Sequence, residues 1–512
     1  MSSSSLPGKA RKFLFITNVD RGEANVCLAA AYALIQADPD VEIHFATFAG
    51  LEDDIEAVWR HACLTVPGAK PITFHKLNGL PMSDALPECI QRNGVPRDYV
   101  LNASPGFRST PRIIRAITAV FVPYTGPQMV DIVTAIIQII GEVNADAVVV
   151  NSLMSAGITA CWHLGIRFTC LSPNSIKEFT AHLQPRAQGV WKFPTLYSGF
   201  RYPVPWYLIP ANIYYLIVLI IAFRSDKNTI EVATHLQSQM GITLRTAIDF
   251  LRGIPPNLKV IVGTLPELDF PLSVIPPHIF PCGPMIRAAP PISESDPELA
   301  GWLAQGPTIL LNLGSLCKIN EDRAIEMALA LRTVLDKASE QSWGASLQVL
   351  WKLSKIGEYK VVEPGATIYH ILEEELKTDR VRIVNWVQAQ PISILQSGHI
   401  VCSIHHGGAN SYNEAIIAGV PHVVLPQWTD CYDYANRVEM LGIGRWGSKQ
   451  AKPRWTAREL SREILDVLVG RKSESMKQKA QKLAEVCQQN GDGAANAAQI
   501  LIAECDEKRY LN

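Results

Sequence analysis

The sequence lacks several features that would assign a chain of this size to a simple class. Its 512 residues carry a formal net charge of −1, so no basic excess predicts binding to nucleic acid. Its 11 cysteines show no spacing typical of a metal site, and no internal repeat is visible. The first residues contain no apolar signal region. Together these absences favour free thiols in a reducing cytoplasm.

Long apolar runs are also scarce, and the one that stands out is Trp206 to Phe223. Its length is close to that of a membrane span, but it contains Pro210 and Asn212 and lies inside the first predicted domain. A span would divide that domain. We therefore expect a helix that lines a cleft for an apolar ligand or makes peripheral contact with a membrane surface.

Short apolar strands alternate with helical segments along the chain, and 48% of the residues are hydrophobic. This pattern predicts an α/β protein with parallel sheets covered on both faces. The proline-rich segment 283–300 reads as a linker between two doubly wound, Rossmann-like domains. We predict an N-terminal domain at 1–282, a C-terminal domain at 301–490 and a final helix within 491–512.

The most informative motif is a glycine turn between a strand and a helix, His406-Gly407-Gly408-Ala409-Asn410-Ser411. The free N–H groups of a helix N-terminus attract an anion, and glycines let the backbone approach a phosphate closely. His406, Asn410 and Ser411 are hydrogen-bond donors. The segment therefore predicts a diphosphate cradle.

Neighbouring residues supply partners for the rest of a nucleotide sugar. Glu414 lies one helical turn after Asn410, where its carboxylate can accept from ribose hydroxyls. Trp386 offers a flat ring for stacking on a base, and Gln388 or Gln390 offers an amide. Asp430 follows the next strand, at a position suited to sugar hydroxyls.

The ordered set Trp386, Gln388, His406, Gly408, Asn410, Ser411, Glu414 and Asp430 resembles the donor-binding box of the UDP-glycosyltransferases. This resemblance implies a GT-B fold, with two Rossmann-like domains facing across a cleft and a last helix, here Ala494 to Tyr510, returning to the first domain. It also implies that Gly314 and Ser315, after the first strand of the second domain, contact the donor diphosphate. Cys431 and Ala409 depart from the plant pattern, in which glutamine and tryptophan stand at these positions.

The resemblance fails at the catalytic position. Family members carry a histidine base after the first strand and an aspartate that orients it, whereas this chain has Glu23 and Asn151 there. Three residues are candidates for the base: Glu23, with a pKa raised by burial, His44 near the end of the second strand, and Asp20. Alternatively, Glu23 only stabilises its helix N-terminus, and the acceptor itself assists the attack or no catalysis occurs.

The remaining histidines near the cradle do not predict a metal site. His405 and His406 are adjacent at a strand end and point in opposite directions, and His399 and His422 read as packing or surface residues. We expect no metal and no cofactor, because a helix N-terminus and His406 can balance the charge of the leaving UDP.

The resulting prediction is an inverting glycosyltransferase that moves a sugar, most simply glucose, from a UDP-sugar to a hydroxyl of a lipophilic small molecule such as a polyketide, terpenoid, sterol or phenol. Two alternatives remain. One is a non-catalytic GT-B-like accessory protein that binds a nucleotide or a partner. The other is a GT-B sugar-nucleotide epimerase or phosphorylase, although the apolar run at 206–223 disfavours a polar acceptor.

Overall fold

The computed structural model describes residues 10–96, 99–253, 257–341 and 344–511. Within these ranges a first sheet contains seven parallel strands in the order β3-β2-β1-β4-β5-β6-β7. The strands are β1 (Lys12–Ile16), β2 (Glu42–Phe48), β3 (Thr73–Leu77), β4 (Ala147–Asn151), β5 (Thr169–Ser172), β6 (Lys259–Val262) and β7 (Ile279–Pro281).

The second sheet contains six parallel strands over the described ranges, in the order β10-β9-β8-β11-β12-β13. They are β8 (Thr308–Asn312), β9 (Gln348–Lys352), β10 (Val381–Val384), β11 (Ile400–His405), β12 (His422–Val424) and β13 (Gly444–Trp446). In both sheets the strand order reverses beside the first strand of the series, which is the position where open α/β sheets bind ligands.

Helices cover both faces of each sheet. The first half contains α1 (Arg21–Ala37), α2 (Glu52–Cys63), α3 (Met82–Arg92), α4 (Tyr99–Asn102), α5 (Ser109–Phe121), α6 (Gly126–Val143), α7 (Ser155–His163), α8 (Ile176–Thr180), α9 (Gln188–Trp191), α10 (Ile209–Ser225) and α11 (Lys227–Met240). The second half contains α12 (Ile292–Ser295), α13 (Pro297–Leu303), α14 (Glu321–Ala338), α15 (Thr367–Ile371), α16 (Glu373–Lys377), α17 (Pro391–Leu395), α18 (Ala409–Ile417), α19 (Cys431–Leu441), α20 (Ala457–Leu468), α21 (Ser473–Gln489) and α22 (Gly493–Leu511).

Strand β1 shows why the first sheet is buried on both sides. Phe13 and Phe15 point into a core shared with α1, whereas Leu14 and Ile16 point into the opposite core, against α6. Successive side chains of a strand face opposite sides, so a continuous apolar run marks a strand covered by helices on both faces.

The last helix, α22, packs against α1 of the first half of the chain. Ala494, Ala497 and Leu501 are buried in the same core as Phe13 and Phe15. Small side chains on α22 let the two helices lie close together. The segment 283–300 is not a bare linker, because it includes the short helix α12 and the start of α13.

Two described helical stretches, Ser109–Val143 and Trp206–Met240, are long and apolar enough to cross a membrane by length and composition alone. They differ in packing. In the most apolar part of the first stretch 44% of the residues are buried, compared with 17% in the second. The first is therefore a core segment, and the second leaves an apolar face open.

Candidate functional site

The glycine turn between β11 and α18, predicted to be an anion cradle, has a conformation that requires glycine. Gly407 adopts φ = +88°, and a Cβ there would lie 2.9 Å from the carbonyl oxygen of Cys431, so only glycine fits without strain. The Gly407 N–H donates to Nδ1 of His405 at 3.1 Å. The turn thereby points the N-terminus of α18 toward the edge of the sheet where ligands bind.

His405 and His406 do point in opposite directions. The His405 ring is buried and shares a 2.9 Å hydrogen bond between its Nε2 and Nδ1 of His422. Across the described residues, no group of three or more His, Cys, Asp or Glu side chains is arranged to hold a metal ion. His405 therefore has a structural role in fixing the turn.

His406 lies between two glycines, and this packing defines its orientation. A Cβ on Gly314 would come within 2.8 Å of its Cε1, and a Cβ on Gly408 would collide with its Nε2. Trp428 packs beside the ring, with 5.1 Å between centroids. Burial lowers the pKa of His406 to about 4, with a further lowering from Lys352. The imidazole is therefore neutral at physiological pH and can donate one N–H.

The first two turns of α18 carry the other predicted donor-site residues. Ser411 is half-buried in the first turn, and Asn410 donates from Nδ2 to the backbone oxygen of Arg21 at 3.0 Å. Glu414 is buried one turn further on, and burial raises the pKa of its carboxyl to about 8. Among the described residues its carboxylate has no hydrogen-bond donor.

Trp386 is 52% exposed, and two cationic side chains lie over its ring. The ammonium of Lys352 lies 4.1 Å from the ring centroid, and the guanidinium of Arg21 lies 5.4 Å from it. Lys352 also donates to the carbonyl oxygen of Gly314 at 3.3 Å. Base stacking on Trp386 remains a prediction, and it would require the ring to exchange one of these cations for the base.

The two remaining donor-site candidates are exposed. Ser315 follows Gly314, whose φ of +83° turns the chain after β8. The side chain of Gln388 makes no hydrogen bond to any described residue, and Gln390 begins α17 as its N-cap. The structure therefore places Ser315 beside the cradle but gives Gln388 no fixed orientation.

Glu23 lies in the first turn of α1, which begins at Arg21. Its Oε2 is buried and has no hydrogen-bond partner among the described residues. Burial raises the pKa of Glu23 to about 8; a hydrogen bond from Asn151 lowers it, and Asp430 and Asp20 raise it. Asn151, the last residue of β4, donates from Nδ2 to the Glu23 backbone oxygen at 3.3 Å.

Asp20 is the N-cap residue of α1, but its side chain does not cap the helix. Its backbone oxygen accepts from the N–H groups of Glu23 and Ala24, both at 2.8 Å. Burial raises the pKa of its carboxyl, and hydrogen bonds from Ser83 lower it. Asp20 therefore lies close to Glu23, and the first turn of α3, which contains Ser83, holds its carboxyl.

The prediction that His44 lies near the end of β2 is wrong. The strand runs from Glu42 to Phe48, so His44 is in its first half, paired with Leu14 of β1. Its Nδ1 shares a 2.9 Å hydrogen bond with Nε2 of His75 on β3. Because ligands bind at the opposite, carboxyl edge of the sheet, His44 is removed from the candidates for the base.

Comparisons with known proteins agree with this geometry. Residues 372–494 match the model of the erythromycin biosynthesis protein CIII-like C-terminal domain. The glycosyltransferase sdnJ of Sordaria araneosa is 31% identical over 97% of this chain and 98% of its own length. The chain belongs to the UDP-glycosyltransferase family. It is therefore an enzyme that transfers a sugar from a UDP-sugar to a small-molecule acceptor.

Solved structures confirm the GT-B fold of this UDP-glycosyltransferase. UGT71G1 of Medicago truncatula, complexed with UDP-glucose, matches with a TM-score of 0.62 over 98% of both chains at 15% identity. UGT2 of Phytolacca americana, complexed with UDP-2fluoro-glucose and pterostilbene, matches with a TM-score of 0.57 at 14% identity, covering 97% of this chain and all of the other.

Asp430 of this UDP-glycosyltransferase is the N-cap residue of α19, a helix that two buried ion pairs join to the first half of the chain. Arg437 and Asp269 form a fully buried pair at 2.8 Å, and Lys177 and Asp433 form a second at 2.6 Å. Burial raises the pKa of Asp430 itself. These contacts hold Asp430 across the cleft close enough to influence Glu23.

Sequence reasoning missed two residues of the site, Lys352 and Arg21. Lys352 is the last residue of β9, and a lysine at the carboxyl end of a buried parallel strand is itself a signal for an anion site. Arg21 gave no such signal. It reaches Trp386 and Asn410 only because the two halves of the chain meet there.

Proposed function

We propose that this enzyme transfers glucose from UDP-glucose to a hydroxyl of a lipophilic small molecule, with inversion at the anomeric carbon and with Glu23 as the general base. The observation that carries the proposal is the 3.0 Å hydrogen bond from Asn410 to the Arg21 backbone. It brings the N-terminus of α18, which holds the donor, against the N-terminus of α1, which holds Glu23.

The donor half of the site is suited to stabilising a leaving UDP. The N–H groups of the α18 N-terminus, the neutral imidazole of His406 and the ammonium of Lys352 converge near Gly314. Donors and positive charges fixed before the reaction stabilise charge that develops on the leaving oxygen. Glu414 is placed to accept from the ribose hydroxyls. We assign the diphosphate to the turn at 406–411.

The acceptor half needs a group that takes a proton from a hydroxyl. Glu23 has a buried oxygen without a hydrogen-bond partner in the described part of the chain and a pKa of about 8, which makes it a stronger base than an ordinary carboxylate. Asn151 occupies the place of the aspartate that orients the base in other family members. Its amide donates to the Glu23 backbone oxygen, and it also lowers the pKa of the Glu23 carboxyl. If the acceptor hydroxyl attacks the anomeric carbon from the Glu23 side, opposite the cradle that holds UDP, the configuration of that carbon is inverted.

The acceptor class is inferred from the first half of the chain. The loop that carries Asp20 packs against apolar and aromatic side chains: Asn18 donates to Met154 Sδ, and Tyr124 donates to Asn18. The Phytolacca americana relative is complexed with pterostilbene, an aromatic compound, and with a glucose donor analogue. The ligands of this relative support glucose as the sugar and a lipophilic aromatic alcohol as the acceptor.

The experiment is a matrix of UDP release with UDP-glucose, UDP-galactose, UDP-glucuronate and UDP-N-acetylglucosamine against phenolic, terpenoid and sterol acceptors. We expect acceptor-dependent UDP release that is greatest with UDP-glucose, together with a product of inverted anomeric configuration by NMR. Preference for another sugar would overturn the donor assignment. Retention of configuration would overturn the inverting mechanism. Transfer only to polar acceptors would overturn the lipophilic acceptor class.

A further inference from the structure

The outer face of α10 exposes an apolar surface that the fold does not cover. Trp206 is 82% exposed and Phe107 is 70% exposed, values far from those of core residues. We call this surface the α10 face and define it by Phe107, Trp206, Tyr207, Tyr214, Ile217, Ile220 and Ile221, all exposed. Soluble monomers rarely expose a contiguous apolar patch of this kind unless it binds something.

The α10 face is an ordered surface rather than a loose segment. Phe107 stacks on Tyr214 with 5.2 Å between ring centroids. On the opposite side of the helix, the buried amide of Asn212 accepts from the N–H of Thr195 at 2.8 Å and donates to the carbonyl oxygens of Val190 and Phe193, both at 2.9 Å. These bonds hold α10 against the protein, so the helix presents one side outward and does not span a bilayer.

The charges around the α10 face have one sign. The segments 99–115 and 182–227, which build it, contain eight lysine and arginine residues and one acidic residue in a chain of net charge −1. The acidic residue is Asp226, whose carboxylate is buried in hydrogen bonds to Thr118 and Thr229. The basic residues are Arg108, Arg112, Arg115, Arg186, Lys192, Arg201, Arg224 and Lys227.

A cation-lined cavity opens beside Tyr207 at the edge of this face. Its volume is about 320 Å³, and its lining includes Arg201, Lys449 and Lys452. Lys449 pairs with Glu439, but Arg201 and Lys452 have no carboxylate partner among the described residues. Lys452 donates instead to the backbone oxygen of Lys449 at 2.9 Å. Two cations without an ion-pair partner in the described residues, close together in a small cavity, are suited to a phosphate group.

We propose that the α10 face docks on an anionic membrane, with its apolar side chains in the headgroup and acyl boundary and a lipid phosphate in the cavity at Arg201 and Lys452. Apolar burial and attraction to anionic lipid are the two contributions that hold an interfacial helix on a bilayer. Docking would place the enzyme where apolar acceptors accumulate. The proposal concerns a surface outside the donor site and does not depend on the role of Glu23.

The test uses the full chain and vesicles of phosphatidylcholine alone or with 30% phosphatidylserine, separated by flotation. We expect binding to the anionic vesicles that is at least tenfold stronger than to neutral ones and that weakens in 0.5 M salt. The triple variant Trp206→Ser, Ile217→Ser, Ile221→Ser should lose at least tenfold in binding. Its control, Ile356→Ser with Val362→Ser, changes exposed apolar residues elsewhere and should bind like the wild type.

A second pair of variants tests the contribution of the basic residues in the cavity. Arg201→Ala with Lys452→Ala should weaken binding to anionic vesicles by roughly 25-fold, because each basic residue near such a surface contributes about fivefold. Lys477→Ala with Lys482→Ala, exposed residues on α21, is the matched control and should have little effect. UDP affinity in calorimetry, measured in every variant, verifies that each protein is folded.

Four results would overturn the proposal. The first is equal or absent binding to both kinds of vesicle. The second is vesicle binding that the two test variants leave unchanged. The third is a dimer in gel filtration that the triple variant converts to a monomer without any vesicle binding, which would assign the face to a second copy of the chain. Binding of inorganic phosphate without vesicle binding would likewise assign the cavity to a soluble anion.

Discussion

The imidazole of His406 fills space that two glycines leave free. Gly314 also needs glycine for its φ of +83°, whereas Gly408 has an ordinary backbone conformation and is required only by the close approach of Nε2. The identity of residue 408 therefore controls the position of His406 without a contribution from backbone strain. A substitution at residue 408 should therefore change the position of His406 without destabilising the fold.

We predict that Gly408→Ala weakens UDP binding by between about 5- and 150-fold. The added Cβ displaces the imidazole, and overpacking of this kind costs about 1–3 kcal/mol. Isothermal calorimetry measures the affinity. The matched control is Gly301→Ala in α13, where a Cβ meets open space; its UDP affinity should equal that of the wild type. Equal affinity in Gly408→Ala would show that His406 does not contact the donor.

At the scale of elements, α18 combines a positive N-terminus with a buried acid one turn later. Glu414 has a pKa of about 8 in the folded chain, compared with an ordinary value of 4.5 when unfolded. The folded state then binds more protons than the unfolded state between these values. The free energy of unfolding therefore falls as pH rises from about 4.5 to 8, and the contribution of Glu414 is lost above pH 8.

We predict that Glu414→Gln flattens this dependence. Between pH 5 and pH 8 the free energy of unfolding of the wild type should fall by at least about 1 kcal/mol more than that of the variant, since one pKa unit corresponds to 1.36 kcal/mol. Guanidinium denaturation at the two pH values measures the difference. Glu340→Gln, at an exposed position, should behave like the wild type. Parallel pH dependences for Glu414→Gln and the wild type would refute the buried, protonated carboxyl.

The elements themselves show what sequence can predict. A strand such as β8 is visible in the sequence, because a parallel strand covered on both faces is a continuous apolar run. The start of α1 at Arg21 is not visible in the sequence, since Arg21 and Gly22 carry no apolar signal. The position of His44 within β2 was misjudged because alternation defines the faces of a strand but not its ends.

The candidate site was predictable only where its residues are local. The cradle from His406 to Glu414 consists of one turn and one helix, so the spacing of its residues along the sequence is enough to predict the site. The bond between Asn410 and Arg21 joins residues 389 positions apart, and the cation contacts of Trp386 also depend on long-range packing. No local pattern encodes such pairs.

At the scale of the whole molecule, buried ion pairs join the two halves of the chain across the cleft. Arg437 and Asp269 are both almost inaccessible to solvent, and Asp269 also accepts from the N–H of Lys177 at 3.0 Å. Removing one member of such a pair leaves an uncompensated charge in the interior. The relative position of Glu23 and the donor cradle therefore depends on residues that contact neither.

We predict that Arg437→Met lowers the free energy of unfolding by about 3–5 kcal/mol, and that adding Asp269→Asn restores most of the loss. Chemical denaturation measures both. The control is Arg382→Met, which breaks an ion pair with the exposed Glu298 and should cost less than about 1 kcal/mol. A similar, small cost for Arg437→Met and Arg382→Met would mean that the buried pair does not hold the two halves together.

The measurement that tests the central claim most directly is the pH dependence of kcat/KM in the wild type and in Glu23→Gln. The ionised carboxylate is the active form, so wild-type kcat/KM should rise about tenfold per pH unit up to about 8 and then level off. Glu23→Gln should lose at least about 100-fold, show no such rise, and keep its UDP affinity. Activity in Glu23→Gln within threefold of the wild type, with the same pH profile, would contradict the account.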